Sequence, residues 1–164
     1  MTACRSCWTH GTETPCSSDG PAMTTADTDS IVEQILRSYD TITVVGASKA
    51  GHKAAHYVPR HMQQHGWRII PVNPTAAGIL GETVYPSLAE VPEQVGLVDV
   101  FRPSADTPDI ARQAVAAGAT ALWLQLGIAS AESRSIAQDA GLLYVEDRCL
   151  IIEQRRLQLD APSR

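Results

Sequence analysis

No apolar run of about 18 residues occurs in the sequence, which excludes a transmembrane helix. A basic excess is missing too: 13 Lys and Arg stand against 18 Asp and Glu, for a formal charge of −5. Nucleic-acid binders carry a basic footprint, so the balance argues against that partner. It leaves an anionic small molecule open, because a local Lys/Arg cluster holds one inside an acidic protein. Cysteine is scarce. Cys4, Cys7 and Cys16 lie in the first sixteen residues and Cys149 stands alone, so there is no disulfide framework. The N-terminus lacks the charged and apolar regions of a secretory signal, and a cytoplasmic location is expected. No internal repeat is visible.

What is present is ordinary globular composition. The 164 residues are 44% apolar and 19% charged, enough for one domain with a core of its own. Residues 1–28 are rich in Thr, Ser, Gly, Pro and Cys without helical or strand period, and read as a disordered extension. Met23 offers an alternative start. Residues 29–160 read as the domain. Ser30-Ile31-Val32-Glu33 fits a capping box, followed by an apolar face of Ile31, Val32, Ile35 and Leu36.

Strands are expected at Thr41–Val45, Arg68–Val72, Leu97–Phe101, Thr120–Leu124 and Leu142–Val145. A short strand is expected within Gly78–Val84 and a helical turn at Ser87–Val91. Helices fall between: Lys53–His65 with Val58 and Met62 inward, one capped by Ser104 or Asp106 and ended by Gly118, one capped by Ser130 and stopped by Gly141. The tail Arg148–Leu157 reads as a helix covering an edge. Strands alternating with helices imply βαβ units: a Rossmann-like, three-layer α/β domain with a mainly parallel sheet. Ligands of such sheets sit at the carboxyl ends of the strands, here the loops starting at Gly46, Asn73, Arg102 and Gln125.

Gly46-Ala47-Ser48-Lys49-Ala50-Gly51 follows a strand and opens a helix, the context a phosphate site requires. A Walker A loop needs Gly-Lys-Ser/Thr at its end. Here Gly51-His52-Lys53-Ala54 puts the lysine one place late and offers no hydroxyl for magnesium, which rejects an NTPase. A dinucleotide fingerprint is also incomplete. Ser48 replaces the second glycine, and Asn73 stands where an acidic residue takes the ribose hydroxyls. Ser48 can donate to a phosphate, and Lys49, His52, Lys53 and Arg102 supply positive charge.

Five segments then recur in order: Gly46-Ala47-Ser48, Pro71-Val72-Asn73-Pro74, Val100-Phe101-Arg102-Pro103, Ala121-Leu122-Trp123-Leu124-Gln125-Leu126-Gly127 and Glu146-Asp147-Arg148-Cys149. Together they resemble the small stand-alone CoA-binding proteins, related to the CoA-binding domain of the succinyl-CoA synthetase alpha subunit. The resemblance covers about Ile31 to Leu157. It implies coenzyme A bound across the strand ends, with Gly46, Ala47 and Ser48 at the phosphates and Lys53 at a basic position of the family. Asn73 and Pro74 would border the nucleotide end, Arg102 and Pro103 the same crevice, and Gln125 and Gly127 its continuation. Ala55 departs from the family, which often has Ser there, so one phosphate donor is lost. The synthetase also needs a phosphorylated His and a partner subunit for which this chain has no room.

Other residues have plainer readings. The i, i+4 pairs His52/His56 and His61/His65 diverge by roughly 140° around the helix and read as a solvated face. Cys4, Cys7, His10 and Cys16 imitate a zinc set but sit in the extension. Cys149, next to Arg148, is either a reactive thiol or a small packing residue, the latter preferred. Trp123 reads as core, and Trp67 as packed under the sheet or partly exposed. No acid–base or nucleophile–base pair stands out. The expectation is a non-catalytic or regulatory module that binds CoA or acyl-CoA, with no nucleic-acid or membrane partner. The alternatives are an NAD(P)-binding redox sensor and an accessory subunit of an acyl-CoA ligase.

Overall fold

A computed structural model describes residues 25–163. The chain runs α1 (Thr25–Ser38), β1 (Thr41–Val45), α2 (Ala54–Gln64), β2 (Arg68–Val72), a small hairpin of β3 (Gly78–Ile79) and β4 (Glu82–Thr83), β5 (Leu97–Val100), α3 (Thr107–Ala116), β6 (Ala121–Leu124), α4 (Ala131–Asp139), β7 (Leu143–Val145) and α5 (Leu150–Leu157). Single 3-10 turns lie at Leu88–Glu90 and Ser104–Asp106. No helix among the described residues is long and apolar enough to cross a membrane.

Five strands form one parallel sheet in the order β2-β1-β5-β6-β7. This doubly wound order reverses direction between β1 and β5, which opens a crevice beyond their carboxyl ends. Both faces are covered, so the strands are apolar on both sides. One face packs Val32, Ile35 and Leu36 of α1, Val58 and Met62 of α2 and Leu150 of α5 against Ile42, Leu97, Trp123 and Val145. The other packs Ile110, Ala111 and Ala114 of α3 and Ala137 of α4 against Val98, Val100, Leu122 and Leu124. The period of two is visible in β5, where Leu97 and Asp99 face one layer and Val98 and Val100 the other.

Several local expectations change. Helix α1 starts at Thr25, so Ser30 is interior and exposed rather than a cap, and Glu33 pairs with Arg37 at 2.8 Å. The reason is tertiary. Asp29 meets Arg148 and Arg156 at 3.2 and 3.4 Å, and these arginines also hold buried Glu153, so the C-terminal helix anchors the extra turn. Residues 25–28 of the expected extension are therefore helical. The Gly78–Val84 segment is two strands, not one, because Leu80 and Gly81 both take positive φ and turn the chain back.

Neither Ser104 nor Asp106 caps α3 by its side chain. Ser104 Oγ accepts from Ala129 N at 3.2 Å, and Asp106 accepts from Arg102 at 2.8 Å. Ser130 does cap α4, its Oγ accepting from Ser133 N at 3.2 Å. Ser130→Ala is expected to cost about 1 kcal/mol and lower Tm by about 3 °C, measured by thermal unfolding; an unchanged Tm would remove the cap from the account. Trp67 is buried and donates to Tyr39 O at 2.8 Å, and Trp123 is buried and donates to Arg148 O at 2.7 Å.

Candidate functional site

The loops after β1, β2, β5 and β6 meet at the carboxyl edge of the sheet. Gly46 is the joint. Its φ is +86°, its N–H donates to Val72 O at 3.0 Å, and a Cβ here would lie 2.8 Å from Phe101 O and 3.0 Å from Arg102 Cδ. The first and fifth strands' loops therefore touch where a side chain would hold them apart.

The rest of this loop is wound on itself. Ser48 N donates to Ala55 O at 3.0 Å, Ser48 Oγ accepts from Ala50 N at 3.1 Å, and His56 Nδ1 donates to Ser48 O at 2.7 Å. Of the residues expected at the phosphates, Gly46 and Ser48 thus have their amides engaged within the frame, and the amide of Ala50 is taken as well. The Ser48 hydroxyl proton stays available. Lys53 is the N-cap of α2 without a side-chain cap bond; its own amide donates to Ala50 O at 3.0 Å and that of His56 to Lys53 O at 2.9 Å, which leaves the amides of Ala54 and Ala55 at the helix start to meet an anion. Lys49, His52 and Lys53 are exposed around it. Ala55 contributes its carbonyl to the loop, a role that does not depend on its side chain.

Asn73 ties two loops together. Its Nδ2 donates to Ala47 O at 2.7 Å, and its Oδ1 accepts from Thr75 N and Thr75 Oγ1, each at 2.8 Å. Pro74 is exposed beyond it. Buried Ala47 and Asn73 are thereby parts of the frame of the cradle.

A groove of about 450 Å³ opens beside the start of α2. It is lined by Ala54, Ala55, Tyr57, Val58, Phe101, Arg102, Pro103, Gln125, Leu126, Ile128 and Cys149, mostly apolar. Arg102, Pro103 and Gln125 of the expected site meet here. Gly127 is not in the lining; its N–H donates to Asp147 Oδ1 at 2.7 Å, which holds the loop after β6. Tyr57 and Leu126 are exposed lining residues absent from the expected site residues, although Leu126 lies within the Ala121–Gly127 segment. Cys149 is the N-cap residue of α5, without a side-chain cap bond; it is half-buried, lines the groove and packs against the core. The Arg148 guanidinium turns away into its pairs with Glu153 and Asp29.

Of the histidines read as a solvated face, His52 is exposed, whereas His61 and His65 are partly buried against the C-terminal tail. His61 Nε2 lies 3.0 Å from Gln154 Oε1 and His65 Nδ1 2.9 Å from Asp160 Oδ1, so both hold the C-terminal tail on α2. The cysteines and His10 of the imitation zinc set lie outside the described residues.

Asp99 went unnoticed in the sequence, although a lone carboxylate in Leu97-Val98-Asp99-Val100 was its signal. It is fully buried between Val44 and Trp123 in neighbouring strands. Gln125 Nε2 donates to its Oδ1 at 2.8 Å, and among the described residues Oδ2 has no hydrogen-bond partner. Burial pushes the carboxyl up to about 8, against the opposing pull of the Gln125 bond and the Val100 amide.

Known proteins place this arrangement. The chain is 33% identical over 119 residues to the uncharacterized protein YneT of Bacillus subtilis, covering 73% of this chain and 88% of that one. A hypothetical protein from Pyrococcus horikoshii superimposes with a TM-score of 0.77 at 34% identity, covering 80% and 93% of the two chains. The ADP-forming acetate–CoA ligase II of Archaeoglobus fulgidus is 31% identical over 72 residues, 43% of this chain but only 11% of the enzyme. The model of the CoA binding domain matches residues 40–155, and the chain belongs to that family.

Proposed function

We propose that the chain binds coenzyme A or an acyl-CoA, with the phosphates at the Gly46–Lys53 loop and the pantetheine arm in the groove, and that it does so as a binding module without chemistry of its own. The observation that carries this is the continuity of the two halves. The uncapped first turn of α2 supplies amides for phosphate, and the same Ala54 and Ala55 begin a mostly apolar groove. A polyphosphate followed by a long, thin arm has that shape, and the volume suits a small-molecule site.

Two details favour this ligand over a nicotinamide dinucleotide. The second strand ends in Asn73, whose amide is engaged with Ala47 and Thr75 and offers no carboxylate to ribose hydroxyls. Positive charge gathers instead at the exposed Lys49 and Lys53. Two polar side chains of the groove wall are anchored to the frame by their nitrogens: Arg102 donates to Asp106 and Gln125 donates to Asp99.

Calorimetric titration with CoA, acetyl-CoA, NAD⁺, NADPH and ATP tests the reading. CoA species are expected to bind and the dinucleotides not. Ser48→Ala is expected to weaken CoA about fivefold, the worth of one hydrogen bond of about 1 kcal/mol. Binding of NAD(P) with no response to CoA would replace this reading with a redox-sensing one.

A further inference from the structure

We propose that Asp99 is a positioning residue for ligand recognition: from within the sheet it fixes the amide of Gln125 so that the amide oxygen faces the groove as a hydrogen-bond acceptor for the ligand's arm. This deepens the CoA reading and rests on it.

The geometry has three parts. Asp99 and Gln125 lie on the same face of the sheet, because Asp99 pairs in register with Trp123 and Gln125 follows Trp123 by two residues. Asp99 is fully buried and is not part of the groove, whereas Gln125 lines it. The bond between them runs from Gln125 Nε2 to Asp99 Oδ1 at 2.8 Å. The bond turns the amide nitrogen toward the interior with one of its two N–H groups engaged, and in the planar amide the oxygen then points the other way, toward the groove. The wall is mostly apolar, with Tyr57, Arg102 and Cys149 as its other polar side chains, and a fixed acceptor in it favours an arm carrying N–H, O–H or S–H groups. The pantetheine arm carries two amide N–H groups and a thiol.

The protonation of Asp99 fits this role. Burial pushes the Asp99 carboxyl up to about 8, which favours the neutral form at neutral pH, and a neutral carboxyl still offers an oxygen to accept from Gln125. An uncharged acceptor anchors the amide without a counter-ion in the core.

The test is the ratio of affinities for CoA and for ADP, which lacks the arm, followed by NMR titration. Asp99→Leu removes the acceptor and is expected to weaken CoA about tenfold while leaving ADP unchanged. Asp99→Asn keeps a carbonyl for Gln125 Nε2 and is expected to restore CoA to within about twofold of wild type. Should Asp99→Leu fail to fold, Gln125→Met keeps Asp99, removes the acceptor itself and is expected to show the same loss for CoA alone. An unchanged CoA-to-ADP ratio in Asp99→Leu or Gln125→Met, or an equal loss in Asp99→Asn, overturns the positioning role. Failure of the wild-type protein to bind CoA overturns the reading beneath it instead.

Discussion

Wild-type stability is expected to fall as pH rises from about 4 to about 8, and Asp99→Asn is expected to remove that part of the fall. The sign follows from proton uptake. The folded carboxyl holds its proton up to about 8, while the unfolded one releases it near its ordinary value of 3.8. Between those values the folded state binds more protons than the unfolded chain, so raising pH favours unfolding. The contribution is fully present below the unfolded value, is lost through the window and is constant above it.

Its slope approaches about 1.4 kcal/mol per pH unit, so the gap between wild type and variant changes by up to about 3 kcal/mol from pH 5 to pH 7. No ionic partner contributes: the carboxyl is shifted by burial and opposed only by Gln125 and the Val100 amide, with Val44 and Trp123 on the flanking strands. Urea unfolding of both proteins across this range measures it. Parallel pH profiles would mean that Asp99 ionises in the folded protein as it does in water.

Gly46→Ala is expected to lower Tm by about 10 °C and to weaken CoA binding more than tenfold. Two costs add. An L residue at φ +86° pays about 1–2 kcal/mol of backbone strain. The new methyl also meets Phe101 O at 2.8 Å, a backbone atom that moves only if β5 moves, for about another 1–3 kcal/mol. At about 3–4 °C per kcal/mol for a domain of this size, the sum gives the shift. Gly118→Ala is the control. It has a similar φ of +77° but nothing within 4 Å, so it carries the strain without the collision and leaves the site intact. Equal losses of stability and binding in the two variants would show that the contact between the loops after β1 and β5 carries no weight.

These expectations separate what local sequence determined from what only the assembled sheet decided. Thr41–Val45 is β-branched throughout and Arg68–Val72 carries Ile69, Ile70 and Val72; bounded by Gly46 and Asn73, they fold as strands with those ends. Met62 and Val58 point inward because a helical period places them on one face. Such features depend on neighbours within a few residues, as does the Ser130 cap. The loop motifs and their order carried the family.

The remaining features join distant residues. Asp29 meets Arg148 across the molecule and extends α1; His61 and His65 receive the tail at Gln154 and Asp160; Ser104 and Asp106 give their caps away to Ala129 and Arg102. Asn73 looked like a ligand residue, and the structure spends its side chain bracing Ala47 and Thr75. Asp99 and Gln125 are 26 positions apart and become partners because β5 and β6 are adjacent and in register. Side-chain polarity along a chain determines which residues need partners; which partner each receives follows from strand order, and strand order is a property of the whole sheet.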